Sequence, residues 1–296
     1  MTRVTVLTNP ASGHGSASHA AERAITRLHR RGVDVVAIAG RDAVHARQLV
    51  EGALERDMDA LVVVGGDGII SLALQVLAQT DIPLGVIPAG TGNDHAREFG
   101  IPTGDPEAAA DVVVDGVSDH VDLGRISGAD GTVRWFGTVM AAGFDSLVTD
   151  RTNRMRWPHG RMRYNLAMVA EISKLRLLPF RLSFDGDEIS TQLTLAAFGN
   201  TRSYGGGMKI CPGADPRDGL LDVTMVASAS RTRLIRLFPT VFKGTHVNLD
   251  EVSTRRARTI TVDSPGINSY ADGEYVCPLP VEVSAVPKAL KILRPA

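Results

Sequence analysis

The chain has little cysteine, no long apolar run and no excess of either charge, and each shortage excludes a class of function. Among 296 residues there are two cysteines, Cys211 and Cys277. Each precedes a proline, and together they offer neither a disulfide framework nor the spacing of a zinc site. Two buried thiols in a reducing cytoplasm are expected. Lysine and arginine number 32 against 33 aspartates and glutamates, so no global basic field awaits nucleic acid. No uninterrupted apolar stretch approaches the roughly 18 residues of a membrane-spanning helix. A lipid substrate would have to be met at the bilayer surface. Thr2–Thr8 reads as a strand rather than a secretory signal, and no repeats or low-complexity tracts occur.

What is present centres on residues 62–94. Leu61-Val-Val-Val64 is a β-branched apolar run, as expected of a strand buried on both faces of a parallel sheet. It empties into Gly65-Gly-Asp-Gly68 and a helix whose buried side is read as Ile69, Ile70, Leu72, Ala73, Val76 and Leu77. A second strand, Pro83–Pro88, ends in Ala89-Gly-Thr-Gly-Asn-Asp94. Two strands thus deliver glycines and one carboxylate each to one sheet edge, where open α/β sheets bind ligands. Glycine lets backbone N–H groups approach phosphate oxygens, and helix N-termini add a positive dipole. Asp67 and Asp94 add hard oxygen ligands suited to Mg²⁺.

The order over the first 115 residues is βαβαβαβα, a doubly wound sheet. It opens with strand Val4–Leu7, the small polar turn Asn9–Ser16 and a helix bearing Ala21, Ala24, Ile25 and Leu28. Strand Val33–Ile38 and helices Ala43–Glu55, Ala96–Phe99 and Pro106–Asp115 complete it. Near Asp119 the pattern changes. His120–Ile126 and Arg134–Ala142 read as paired strands, followed by Phe180–Phe184, Gln192–Phe198, Leu221–Ala227, Thr259–Val262 and Val281–Val286. Helices are expected over Arg161–Lys174 and Arg231–Phe238. The second half is therefore β-rich and sandwich-like. The boundary is placed at 122, giving domains 1–122 and 123–287, with 288–296 open to a return to the first.

Three features of the second half carry chemistry. Arg151, Arg154, Arg156, Arg161 and Arg163 surround Trp157; arginine forks match phosphate geometry and tryptophan suits a membrane interface, against a plain solvated face. Asp215–Asp222 is a compact acidic turn able to hold a hard cation through loop carboxylates and carbonyls, or simply a hairpin turn; Asp222 is expected to face elsewhere. Ala271-Asp-Gly-Glu274 places Glu274 after a glycine bend, where it could act as a general base, although Asp-Gly is also a common hairpin turn.

Taken together, Asn9-Pro-Ala-Ser-Gly13, Gly65-Gly-Asp-Gly68, Pro88–Asp94, Val121-Asp-Leu-Gly124, Gly143-Phe-Asp145, Asp218-Gly-Leu-Leu-Asp222 and Ala271-Asp-Gly-Glu274 resemble the soluble diacylglycerol kinase family over essentially the whole chain. The stretches Arg154–Tyr164 and Thr201–Gly207 look like its actinobacterial members. The resemblance implies an α/β nucleotide domain of NAD-kinase/phosphofructokinase type, a β-rich lipid domain, and an active site in the cleft between them. ATP would be bound by Asn9, Pro10, Ala11, Ser12, Gly13, Gly66, Asp67, Gly68, Ile69, Ile70, Ser71, Leu72 and Thr91, with Arg97 near the phosphates. Asp67, Asp94 and Asp122 would organise ATP-bound Mg²⁺. A structural Mg²⁺ would sit at Asp218 with the carbonyls of Asp215 and Leu220. Glu274 would be the base in direct in-line transfer to the hydroxyl of diacylglycerol, giving phosphatidic acid.

The resemblance also implies a cytoplasmic protein, peripheral at the inner face of the plasma membrane. Contact with anionic phospholipid would run through Arg151–Arg163, no nucleic acid is expected as partner, and a homodimer is compatible with the chain. Three positions depart from the family: Ile69 for threonine, His14 for lysine and His95 for phenylalanine. The alternatives are a kinase of another amphipathic alcohol, such as a sphingoid base or monoacylglycerol, and a non-catalytic lipid- or nucleotide-binding relative. NAD kinase shares the Gly-Gly-Asp-Gly turn, but its Asn-x-Gly-x-x-Gly-Phe-Leu stretch is missing.

Overall fold

A computed structural model describes residues 1–8, 16–143, 151, 177–227 and 231–296. The turn 9–15, the helix expected over Arg161–Lys174 and nearly all of the Arg151–Arg163 run lie outside the described residues. The chain divides into two compact units, Met1–Leu123 with Pro287–Ala296, and Gly124–Val286.

The first unit alternates β1 (Arg3–Thr8), α1 (Ser16–Arg30), β2 (Asp34–Ala39), α2 (Ala43–Leu54), β3 (Ala60–Gly65), α3 (Asp67–Leu77), β4 (Leu84–Pro88), α4 (Asp94–Glu98) and α5 (Pro106–Asp115). The strands are parallel in the order β2-β1-β3-β4. Every residue of β3 and β4 is buried, which is why neither strand alternates polar with apolar. Helix α1 packs on α5, and α2 on α3. Arg27 grips Asp111 through two bonds of 2.9 Å, joining α1 to α5. Helix α3 buries Ile70, Ser71, Ala73, Leu74 and Leu77. This corrects the expected face. The stripe follows 70, 73, 74, 77, and Ile69, Leu72 and Val76 stand at its margins, half-buried.

Two long strands, β5 (Val117–Gly128) and β16 (Val281–Arg294), run from one unit into the other. The expected strand Val281–Val286 continues to Arg294, and its far end pairs in parallel with β4 at Ile292↔Leu84.

The second unit holds β6 (Val133–Phe136), β7 (Val139–Gly143), β8 (Leu178–Phe184), β9 (Asp187–Leu193), β10 (Leu195–Gly199), β11 (Leu221–Val226), α6 (Arg231–Lys243), β12 (Val252–Ala257), β13 (Thr259–Asp263), β14 (Asn268–Ala271) and β15 (Glu274–Pro278). One sheet runs β16-β13-β8-β9, and the other β12-β11-β10-β7-β14-β15. Phe180, Leu182 and Phe184 of the first share a core with Met140, Phe198 and Val223 of the second. This is a sandwich.

Two expected strands each prove to be two, one for each sheet. Gln192–Phe198 breaks at Thr194, which bonds to Val226 O through its N–H and to Ala227 O through Oγ1; β9 pairs with β8, whereas β10 pairs with β7 and β11. Arg134–Ala142 breaks at Gly137-Thr138, so β6 pairs with β5 while β7 joins the other sheet. Helix α6 runs five residues past the expected Phe238, with Pro239 inside it. Strands β12, β14 and β15 were not expected.

Candidate active site

In the first unit the two glycine turns touch backbone to backbone. A Cβ on Gly90 would stand 2.4 Å from Gly66 Cα, and one on Gly66 would stand 3.1 Å from Gly90 Cα. A side chain at Gly90 would force the facing backbone to move, and one at Gly66 would be tight. Asn93 holds the second turn closed: it is left-handed at φ 53°, its Oδ1 accepts from Gly90 N at 3.0 Å, and its Nδ2 donates to Gly90 O at 2.9 Å. Asn93 was not among the expected site residues, although asparagine after glycine commonly takes a left-handed bend of this kind.

The carboxylates converge on Gly92. A Cβ there would lie 2.5 Å from Asp67 Oδ2 and 3.7 Å from Asp94 Oδ2. Asp94 is buried within the first turn of α4, which starts two residues earlier than expected. Arg97 Nη1 reaches Asp94 Oδ1 at 3.3 Å and also donates to Gly92 O. The other oxygen of Asp67, Oδ1, accepts from His95 N at 3.3 Å and lies 3.2 Å from His95 Nδ1. Burial pushes the Asp67 carboxyl up, but the His95 ring bond, the ring's charge and the backbone N–H groups of His95 and Asp94 outweigh it. The group is held below the ordinary carboxylate range. Helix α3 begins at Asp67 with Gly66 as its cap and no side-chain cap bond, leaving first-turn N–H groups available to an anion. Thr91 is exposed, and Ile69 is half-buried.

Asp122 is placed otherwise. It is 2% exposed, and its Oδ1 accepts from Lys288 N at 2.8 Å, fastening the returning C-terminal strand. Among the described residues no three His, Cys, Asp or Glu side chains gather as a metal-ligand set.

In the second unit the β14–β15 hairpin carries Glu274. Asp272 sits at its bend with φ 50°. Its carboxylate accepts from Gly137 N at 3.0 Å, Thr138 N at 2.8 Å and Thr138 Oγ1 at 2.6 Å. Glu274 Oε2 pairs with Arg134 Nη2 of β6. Both partners were missed, because each lies well over a hundred residues away along the chain.

Two family models match the chain: the diacylglycerol kinase catalytic domain over residues 3–126, and the YegS C-terminal NAD kinase beta sandwich-like domain over residues 138–294. A diacylglycerol kinase of Mycobacterium tuberculosis (strain ATCC 25618 / H37Rv) is 67% identical over 294 residues, covering 99% of this chain and 95% of that protein. The chain belongs to the diacylglycerol kinase family. A diacylglycerol kinase of Bacillus subtilis (strain 168) is 28% identical over 299 residues, with 100% and 97% of the two chains covered. A crystal structure titled as a diacylglycerol kinase from Bacillus anthracis str. Sterne has a TM-score of 0.74 at 18% identity, over 99% of this chain and 96% of that one; at that identity it bears on the fold.

The acidic turn fits a structural cation poorly. Asp218 Oδ1 accepts from Leu220 N at 3.0 Å, its Oδ2 is taken by Arg256 Nη2, and the Asp215 carbonyl accepts from Asp218 N at 3.4 Å. Arg256 Nε also reaches Asp222 Oδ2 at 3.1 Å. Asp218 and Asp222 therefore face the same guanidinium, contrary to the expected divergence. Cross-strand register explains it, because Arg256 of β12 lies opposite Asp222 of β11. A divalent ion at Asp218 would be pressed against a fixed positive charge.

Both cysteines are buried and free, and burial pushes the Cys211 thiol up to about 12. No helix among the described residues is long and apolar enough to cross a membrane.

Proposed function

We propose that this family member transfers the γ-phosphate of ATP to the hydroxyl of diacylglycerol, giving phosphatidic acid. The observation that carries the reading is the meeting of two glycine turns with the Asp67 and Asp94 carboxylates directed at Gly92. Backbone that close admits phosphate oxygens, and the uncapped start of α3 supplies N–H donors to them. The donor chemistry suits Mg²⁺, which dehydrates reluctantly and is commonly held by one or two carboxylates plus substrate phosphates. Asp67 and Asp94 would hold it; when bound, the ion neutralises charge on the phosphates. Asp67 is kept ionised for that task by the bonds described above.

The second unit contributes the proton acceptor. Glu274 takes the hydroxyl proton on Oε1, Oε2 being engaged by Arg134, and the hydroxyl oxygen attacks the γ-phosphorus in line as the bond from phosphorus to the β,γ-bridging oxygen breaks and ADP leaves. No covalent enzyme intermediate is required. Lipid contact is assigned, from sequence, to Arg151–Arg163 at an anionic membrane surface.

Glu274→Gln tests the assignment. It should abolish transfer while ATP binding stays within about twofold of wild type, since the substitution is isosteric and removes the basic carboxylate, with its charge toward Arg134, without touching the glycine turns. Wild-type turnover by the variant would remove Glu274 from the mechanism.

A further inference from the structure

We propose that His95 is a positioning residue for Asp67: its ring fixes one carboxylate oxygen so that the other is presented toward Gly92 and Asp94. The proposal rests on the reading of Asp67 and Asp94 as the cation-organising pair. His95 is 2% exposed and occupies the first turn of α4 beside Asp94. Asp67 Oδ1 receives both the backbone N–H of His95 at 3.3 Å and ring Nδ1 at 3.2 Å. An ionised carboxylate only accepts hydrogen bonds, so Nδ1 carries the proton at this contact.

The backbone N–H of His95 is a long contact at 3.3 Å, and the Asp94 N–H also acts on the carboxyl; neither comes from a side chain that can be placed independently of the turn. The ring adds a side-chain donor on Oδ1 at 3.2 Å and so fixes which oxygen is held. With Oδ1 held, Oδ2 is the oxygen that lies against Gly92. Mg²⁺ tolerates little angular error in its ligands, so a carboxylate oriented beforehand binds it more tightly than one that must be ordered. Outer contacts of this kind are worth about 10–100-fold in metal affinity.

The test uses the full chain, a non-hydrolysable ATP analogue and titrated Mg²⁺, with calorimetric binding and thermal melting measured in parallel. His95→Phe keeps the backbone N–H and the bulk but loses the ring donor; His95→Asn returns a donor near Nδ1. We expect His95→Phe to weaken Mg²⁺-dependent analogue binding about tenfold, and His95→Asn to recover most of the loss. The ¹⁵N spectrum of the wild-type imidazole should show the Nδ1–H tautomer. Binding by His95→Phe at wild-type strength would overturn the proposal. So would an Asn variant as weak as Phe with an unchanged melting midpoint, or a ring protonated only on Nε2. The spectrum decides the matter even if His95→Phe does not fold. Because binding is read without lipid, failure to phosphorylate diacylglycerol would sink the substrate reading and leave this result standing.

Discussion

Adding one methyl group to Gly90 and one to Gly92 should break two different things. In Gly90→Ala the new Cβ stands 2.4 Å from Gly66 Cα and 3.2 Å from Gly66 N. The nearest obstacle is backbone, with Asn93 Oδ1 also at 3.0 Å, so the turn between β3 and α3 must shift. Forced overpacking of this kind costs about 1–3 kcal/mol, or roughly 2–12 °C of melting midpoint at about 2–4 °C per kcal/mol for a chain of moderate size. In Gly92→Ala the obstacle is Asp67 Oδ2, 2.5 Å away, the end of a side chain that can rotate. The fold should then lose less than about 1 kcal/mol, while Mg²⁺-dependent nucleotide binding falls about 10–100-fold as Asp67 leaves its place. Thermal melting and calorimetric titration with an ATP analogue separate the two effects. Tight binding by Gly92→Ala would refute the convergence of carboxylates on that glycine, and a wild-type midpoint for Gly90→Ala would refute the backbone contact.

Asp272→Ala strips three donors of their acceptor, two of them on Thr138, which is 2% exposed. A loss of roughly 3 kcal/mol is expected, read as a lower midpoint in denaturant. Chelator should leave the melting midpoint unchanged, because Arg256 already bridges Asp218 and Asp222; Arg256→Ala should lower stability by about 1 kcal/mol or less, the arginine being half exposed. A drop of several degrees with chelator would restore the cation. Burial, and then the charge of Asp215, push the Asp222 carboxyl up to about 6, even with Arg256 Nε 3.1 Å away. A raised carboxyl stabilises the fold fully below its unfolded value near 4 and loses that contribution as pH rises through 6. Asp222→Asn should therefore flatten the decline in midpoint between pH 4 and 7, and an unaltered slope would contradict the raised value.

The fold class was legible in the first unit because buried parallel strands leave a plain trace. Leu61–Val64 and Pro83–Pro88 carry no polar residue, and each ends in glycines followed by a carboxylate. In the second unit the same kind of reading failed at Thr194. Apolar residues continue from 193 to 198, and a single threonine moves the chain between sheets without any glycine or proline to mark it. Strands β14 and β15 are four and five residues long, too short for alternation to stand out beside their Asp-Gly bend. The Asp67 and Asp94 turns could be read from spacing. The partners that orient the acids could not: His95 is 28 residues from Asp67, Arg256 is 38 from Asp218, and Arg134 is 140 from Glu274. Such pairs are products of sheet register and helix placement, which local sequence does not encode.

The most direct test is transfer of labelled γ-phosphate from ATP with Mg²⁺ to diacylglycerol, monoacylglycerol, sphingosine, ceramide and NAD in parallel, with Glu274→Gln and Asp67→Asn as controls. The account predicts labelled phosphatidic acid from diacylglycerol, and none from either variant. Label appearing in another acceptor in preference to diacylglycerol would contradict the substrate. Transfer to none of them, with ATP still bound, would contradict the reaction itself.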